Sequence, residues 1–561
     1  QLPTTYRAFS GSFQHLQPLQ TEASAPILAG RDLVLQSATG SGKTEAVLAP
    51  CIEGVIQSRG AESILYIVPT RALAIDLERR FVSILTQRLG LPFGIRTGDV
   101  KRNGGRPCLM LTTPESVDVL MCSSHRDLHG FLRRVRRVVI DEVHPLVNQY
   151  RGKQLACLLR RLQRRTGEPI QKIALSATIS DVKGIMDFFG FQPDSVHLLS
   201  PVQREIVPHL IHIKREDEEI VALLNDLHDV YNYRKVILFA NSRGQCDRLY
   251  SLLAAEGRFC GVVELHYSNL KPRERRRVED RLRRRNRALV IATSTLELGI
   301  DIGDVDAVIL FGPPDSVSAF LQRIGRSNRR ESSTHFWGIC RGERSGAELL
   351  RFLGLLRLAR RGTVEKPLPN RFPSVMVQQV LSCLYEKKRL SLPALCDLFP
   401  ECGETLEMLF ESMEKLGWLR REPPIHRNGL ESALAIKPSP AAQHACLFHG
   451  GWRYRNALLD RSIWSNFPKA EEDYQLELGG DAVADLPHSI VRQLEPGDRV
   501  HLAGKRIQIV QIVDEGERKR VLAQRADQLD EKEILWLGAG FQVSFEVAQS
   551  IHAILNDPEE R

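Results

Sequence analysis

The sequence predicts an α/β protein built on two tandem parallel-sheet domains, followed by a small helical module and a β-rich tail. Two observations carry the first part. Over the first 360 residues, short continuous Val/Ile/Leu runs recur between longer amphipathic stretches, as expected of strands buried on both faces by crossover helices. The runs also fall into two series: residues 32–36, 64–68, 108–111, 135–140 and 173–175, then 236–239, 289–292 and 308–311. Two series imply two α/β domains, with 200–214 read as their linker.

A third observation concerns the remainder. Past Gly362 a Pro-rich segment (366–373) precedes helical patterns at 374–388, 391–399 and 404–416. Gly417 ends the last of these, since glycine readily takes the left-handed conformation that closes a helix, and 418–421 reads as a strand. Helix–helix–helix–strand suits a winged-helix domain. From about Gly429 the pattern turns β-like and barrel-like, broken at Gly479-Gly480, Gly497-Asp498 and Gly504.

Composition narrows the function. With 43% hydrophobic and 26% charged residues the chain is of ordinary globular make-up. No run of 18 apolar residues is present and no charged segment followed by an apolar one opens the chain, so neither a membrane span nor an export signal is expected and a cytoplasmic, nucleoid-associated location is. Eleven cysteines without a CxxC pair point to reduced thiols. Cys396, Cys402, Cys446 and His449 match no compact zinc knuckle. The net charge of +9 divides into +15 over residues 1–430 and −6 over 431–561, and residues 271–287 alone hold ten Lys/Arg against three Asp/Glu. That excess fits a polyanionic partner, or a solvated basic helix.

Chemistry enters at Ser37-Ala38-Thr39-Gly40-Ser41-Gly42-Lys43-Thr44, which follows a strand and opens a helix. In a phosphate-binding loop of this form, backbone N–H groups and the helix N-terminus cradle phosphates, here Thr39, Gly40, Ser41 and Gly42. Lys43 reaches the β- and γ-phosphates and Thr44 ligates Mg²⁺; Ser37 stands where the strict pattern has Gly. Asp141-Glu142-Val143-His144 ends the strand 135–140, where ligands of open parallel sheets bind. Asp141 is the second Mg²⁺ candidate and Glu142 the residue to polarise the attacking water. In the second half, Gln322-Arg323-Ile324-Gly325-Arg326-Ser327-Asn328-Arg329 places Arg326 and Arg329 to neutralise charge on a γ-phosphate. An aspartate or histidine cluster able to hold nuclease metals does not stand outside these motifs.

Taken in order, this set resembles the superfamily 2 helicases, with Pro69-Thr70-Arg71-Ala72-Leu73, Thr112-Thr113-Pro114-Glu115-Ser116, Ser176-Ala177-Thr178, Phe239-Ala240-Asn241-Ser242-Arg243 and the run from Thr293 to Asp301 completing it. The similarity is greatest to the large helicase-related (Lhr) family. The resemblance implies RecA-like domains at 1–203 and 204–362, a winged-helix domain at 363–430 and a β-rich C-terminal domain at 431–561. It implies that Gln20 reads adenine and that Gly299 and Asp301 touch the nucleotide. It makes His144, Ser176, Thr178 and Gln322 the link between ATP state and domain closure. Arg71, Thr113, Asn241, Arg243 and Thr293 fall where the family holds a nucleic-acid backbone. Asn328 departs from the family's glycine and bears on the placement of Arg329. Trp536, with Trp464 behind it, is the candidate to stack on a base. The implied function is ATP- and Mg²⁺-dependent movement 3′→5′ on single-stranded DNA, unwinding duplex DNA or an RNA:DNA hybrid. An RNA-dedicated helicase and an ATP-switched binding subunit are the alternatives.

Overall fold

The computed structural model describes residues 2–10, 16–37, 41–102, 105–147, 149–177, 181–199, 204–267, 270–297, 305–327, 333–365, 373–422, 447–459, 463, 474–486, 488–502, 505–515, 518–526 and 543–556. Strands β1 (Leu33–Gln36), β2 (Ser63–Ile67), β3 (Phe93–Arg96), β4 (Lys101–Arg102), β5 (Leu109–Thr112), β6 (Val135–Ile140), β7 (Gln171–Ser176) and β8 (Val196–Leu199) form one sheet in the order β4-β3-β5-β2-β6-β7-β1-β8. Pairing is parallel except at the β3–β4 edge. Alternate residues face two separate apolar layers: Leu33, Leu35, Ile64 and Tyr66 one way, Val34, Leu65 and Ile67 the other. Burial on both faces is why these strands read as unbroken apolar runs.

The second sheet contains β9 (Glu205–Ile213), β10 (Lys235–Ala240), β11 (Val263–His266), β12 (Ala288–Ala292), β13 (Ala307–Phe311) and β14 (Ser333–Arg341), ordered β11-β12-β10-β13-β14-β9 and parallel throughout. The stretch 200–214, expected to be a linker, instead contains β9, which pairs with β14 from Glu205↔Ser333 to Arg341↔Ile213. It is an edge strand, where Pro208 is tolerated because an outward N–H is not needed. Its partner lies more than 120 residues away, so no local pattern announces it.

Beyond the second sheet, helices Pro373–Lys387, Leu392–Leu398 and Gly403–Lys415 precede a small antiparallel sheet of β15 (Leu390–Ser391), β16 (Leu419–Arg421) and β17 (Leu447–Gly450). Gly417, at φ +76°, closes the third helix as expected. The strand β17 lies past residue 430, so this sheet joins chain from both sides of the boundary expected there. The last sheet, β18 (Tyr474–Leu478), β19 (Asp481–Leu486), β20 (Arg499–Leu502), β21 (Lys505–Glu515) and β22 (Arg518–Arg525), is antiparallel save for the β18–β22 pair.

The two accessory units sit on different α/β domains. The three-helix unit packs on the helix Tyr150–Thr166 of the first, with Cys157 in its core. The β-rich sheet shares one continuous apolar core with the second domain, Tyr474, Leu476, Val500 and Val521 joining Val236, Leu238 and Leu249. The C-terminal helix Phe545–Asn556 returns to the second domain's helix Ser345–Arg360. A Cβ on Gly354 would lie 3.1 Å from Ile551 there, so glycine permits the approach.

Candidate functional site

Among the described residues, the motifs that follow strands lie at their carboxyl ends, and Gln322–Arg326 closes the helix Val317–Ile324 of the second domain. In the first sheet β6, β7 and β1 are neighbours, so Asp141–His144, Ser176, Ser37 and Lys43 converge. Gly42 takes φ +80°, a conformation glycine reaches without cost. Ser37 does not sit at positive φ and donates its N–H to the Ser176 carbonyl at 3.0 Å, which is why serine replaces glycine there without strain. The helix Lys43–Gln57 then begins.

Lys43 and Glu142 are both buried, with Nζ 3.8 Å from Oε1. Lys43 Nζ and Glu142 Oε2 have no hydrogen-bond partner within the described residues. A buried ammonium and a carboxylate oxygen without such partners suit a triphosphate and a water molecule respectively. Glu142 itself stands at φ +45°, a conformation that costs a non-glycine residue on the order of 1–3 kcal/mol and is found where surrounding structure imposes it. Burial works against its charge, yet Lys43, His144 and Arg326 together hold its carboxyl below the ordinary value. Burial, and then the charge on Glu142, push Asp141 up to about 6.

Asp141 accepts a 2.8 Å hydrogen bond from the Tyr66 hydroxyl, which also bonds Thr44. Thr44 and Asp141 are thus drawn together by a fully buried phenol that the motif pattern did not include; a lone tyrosine within the apolar strand β2 was the available signal. Hydroxyl and carboxylate oxygens are the hard donors Mg²⁺ takes, so these residues fit that ion. No cluster of three His/Cys/Asp/Glu able to hold another metal occurs in the described residues, and no disulfide joins any two of the ten described cysteines; Cys446 lies outside them.

His144 connects the two domains. Its Nδ1 is 2.9 Å from Ser176 Oγ and 3.5 Å from Glu142 Oε2, and its Nε2 is hydrogen-bonded to Gln322 of the second domain. Burial pushes the imidazole down to about 4, so the ring is neutral at pH 7. Gln322 donating to Nε2 assigns the remaining proton to Nδ1. Arg326, 1% exposed, donates to the Glu297 carbonyl at 2.6 Å and lies near enough to lower the carboxyl of Glu142 across the cleft. The motifs by themselves gave no role to Arg323 or Glu297. Arg323 pairs with Glu297 at 2.7 Å and donates to Asn241 Oδ1 at 2.8 Å, tying three motifs of the second domain into one unit.

Gln20 lies against the phosphate loop. Its Nε2 is 2.8 Å from where a Cβ on Gly42 would stand, and its Oε1 accepts from the Gln17 N–H at 3.1 Å. Thr39, Gly40, Thr178, Gly299, Asp301, Arg329, Trp464 and Trp536 lie outside the described residues.

The remaining motif residues line the same rim at the ends of β2, β5, β10 and β12. Arg71 is exposed and pairs with Asp99 at 2.8 Å. Arg243 opens the helix Arg243–Ala255, and the Thr293 N–H donates to the His266 carbonyl at 3.3 Å. Two side chains are turned inward. Thr113 is 2% exposed with its hydroxyl 3.1 Å from Ser116 Oγ, and the Asn241 amide is spent on Arg323 and the Pro313 carbonyl. At those positions the rim offers helix N-termini and neighbouring groups.

Comparison with known proteins agrees with this arrangement. Residues 17–185 match the DEAD/DEAH box helicase model, and residues 218–331 match the helicase conserved C-terminal domain. The chain is 27% identical over 553 residues to the ATP-dependent helicase Lhr-Core protein 2 of Thermococcus barophilus, covering 89% of this chain and 61% of that protein. It is 31% identical over 385 residues to the Lhr helicase of Mycolicibacterium smegmatis, covering 57% of this chain and 25% of the relative. The solved Mycobacterium smegmatis Lhr, bound to single-stranded DNA and AMP-PNP, superposes with a TM-score of 0.62 at 27% identity, covering 74% of this chain and 58% of that one. The chain therefore spans a part of its relatives' length, from 25% to 61% in the two sequence matches. A buried Lys43–Glu142 pair on one RecA-like sheet is faced by Arg326 and Gln322 from a second, and with both helicase family domains matched the chain belongs to the superfamily 2 helicases and is similar to the Lhr proteins.

Proposed function

We propose that the chain is an ATP-driven translocase that moves 3′→5′ along single-stranded DNA and separates DNA:DNA or RNA:DNA duplexes. The observation that carries this reading is the contact across the cleft: Gln322 bonded to His144, which also reaches Ser176 and Glu142. A change of nucleotide at Lys43 and Glu142 is thereby felt by the second domain. Glu142 orients and deprotonates the attacking water, Lys43 holds the β- and γ-phosphates, and Arg326 with Arg329 balances charge on the transferring phosphoryl group. Mg²⁺, held by Thr44 and Asp141, would neutralise phosphate charge when bound. Gln20 would read adenine, with Gly299 and Asp301 at the nucleotide's second-domain side.

Single-stranded DNA lies across the rim formed by Arg71, Thr113, Asn241, Arg243 and Thr293, read through its backbone rather than its bases. The three-helix unit acts as a winged helix and, with the β-rich unit, widens the footprint; Trp536 stacks on a base. Strand displacement on 3′- and 5′-tailed DNA:DNA, RNA:DNA and RNA:RNA duplexes tests this. Release from 3′-tailed DNA-tracking substrates is expected. Equal activity on RNA tails would move the assignment to an RNA helicase, and ATP turnover without release would leave only a switched binding subunit.

A further inference from the structure

The basic helix that the sequence singled out is not absorbed by the ATP site. It spans Pro272–Arg284 and is fixed to the first domain through Arg283–Asp76 and Arg79–Asp280, each 3.5 Å. On that side Arg275 lies close enough to Asp99 and Arg71 to feel their charges, so the helix borders the rim. Its other face, carrying Arg277, Val278 and Arg281 at helical spacing, turns toward the β-rich unit. Between them run two cavities of about 700 and 940 Å³, which share Glu274, Val483, Lys505 and Arg525 and so form one open groove.

Seven cations line this groove against three carboxylates. Lys271 is committed to Asp485 and Arg281 to Glu264, each at 2.5 Å. In the described residues, Arg273, Lys505, Arg506 and Arg525 have no carboxylate within 4.0 Å, whereas Arg277 has Glu274 at 3.9 Å. Like charges gathered in a concave site raise the local potential and attract a polyanion. The cations are strung along both walls of an open channel. A compact anion would call for donors converging on one enclosed point; a chain of phosphates matches a line of cations.

We propose that this groove holds the phosphodiester backbone of the second strand, the one that does not cross the rims of the two α/β domains. The helix Pro272–Arg284 then stands as a wall, with the tracked strand on its Arg71 side and the displaced strand on its Lys505 side. This rests on the strand-separating function above.

The test compares binding of the full chain, with AMP-PNP, to three substrates: a 3′-tailed duplex, the same duplex with an added 5′ tail, and that fork with the 5′ tail replaced by an uncharged peptide nucleic acid. The wild-type chain is expected to bind the charged fork about tenfold tighter than either other substrate. Lys505→Glu/Arg525→Glu should bring the three within twofold of one another while leaving the affinity for the 3′-tailed duplex unchanged. It should also flatten the salt dependence for the fork, by about 0.7 for each single-strand phosphate the groove no longer neutralises. A milder Lys505→Gln/Arg525→Gln variant, checked by thermal melting, should give an intermediate result. A wild-type chain that does not distinguish the three substrates, or a reversed variant that keeps the distinction, overturns the groove. Strand-stimulated ATPase and release of the 3′-tailed duplex report on the motor function separately, so either reading can fail without the other.

Discussion

Glu142 is held at positive φ with one carboxylate oxygen 3.8 Å from the Lys43 ammonium and the other directed toward His144. Its position, rather than its acidity alone, is what suits it to direct water. Glu142→Gln should lower ATP turnover at least about a hundredfold, the scale of a lost general base, while ATP and DNA binding persist; near-normal turnover would remove Glu142 from that role. Tyr66→Phe tests the phenol that joins Asp141 to Thr44. Losing a hydrogen bond to a charged group costs about 1.5–3 kcal/mol, so the Mg²⁺ concentration giving half-maximal turnover should rise by about tenfold or more. His144 gives a pH signature. Its native value lies near 4, below the ordinary 6.5, so between those values the unfolded chain binds the extra proton. Stability therefore falls as pH drops from about 6.5 to 4, by about 3 kcal/mol for a shift of this size. Unfolding midpoints of wild type and His144→Gln across that range should converge at low pH.

The helix Tyr150–Thr166 joins the rim to the three-helix unit. At its start Arg151 donates to the Pro69 carbonyl and pairs with Glu115, bracing the two motifs at the ends of β2 and β5. Further along, Arg161 is 4% exposed and pairs with Asp118 at 3.2 Å and Glu386 at 2.8 Å. Asp118 also accepts from Gln154, Gln378 and Gln379 at 2.8–3.0 Å. The charges of this network are buried against one another, so removing one strands the other. Asp118→Ala should cost about 3–5 kcal/mol in denaturant unfolding, while Asp118→Leu/Arg161→Met, which removes both charges, should recover much of it. Equal losses would show that packing alone holds the unit in place. None of this was legible in the motif pattern, because Asp118 and Arg161 acquire meaning only from Gln378, Gln379, Ser382 and Glu386, more than 200 residues onward.

At the scale of the whole molecule, each accessory unit is carried by a different α/β domain. Under the proposed function, closing the cleft around ATP moves the three-helix unit relative to the β-rich unit. Energy transfer between a dye on the helix Leu392–Leu398 and one on β20 should change on adding AMP-PNP and revert on its removal; an unchanged signal would mean that the two units move as one. The close approach at Gly354 gives a second test. Gly354→Val places methyl groups against Ile551 and the Val547 carbonyl, an overpacking that costs about 1–3 kcal/mol. It should expose the helix Phe545–Asn556 to limited proteolysis without changing ATP affinity.

By itself the sequence determined the two parallel sheets, the phosphate loop, the DEVH end of β6 and the basic helix. Each is written locally: an apolar run of strand length, a glycine turn between strand and helix, a stretch holding ten Lys/Arg in seventeen residues. The strand β6 spans the predicted 135–140 and the third accessory helix ends at Gly417 for this reason. Only the tertiary structure decided that β9 belongs to the second sheet, that β17 completes a sheet begun before residue 430, and that Tyr66, Arg323 and Glu297 serve the site. It also turned Thr113 and Asn241 inward, and placed the basic helix between the rim and a second cationic groove. Those outcomes depend on partners far apart in the chain, and a local pattern of residues carries no record of which distant segment will lie beside it.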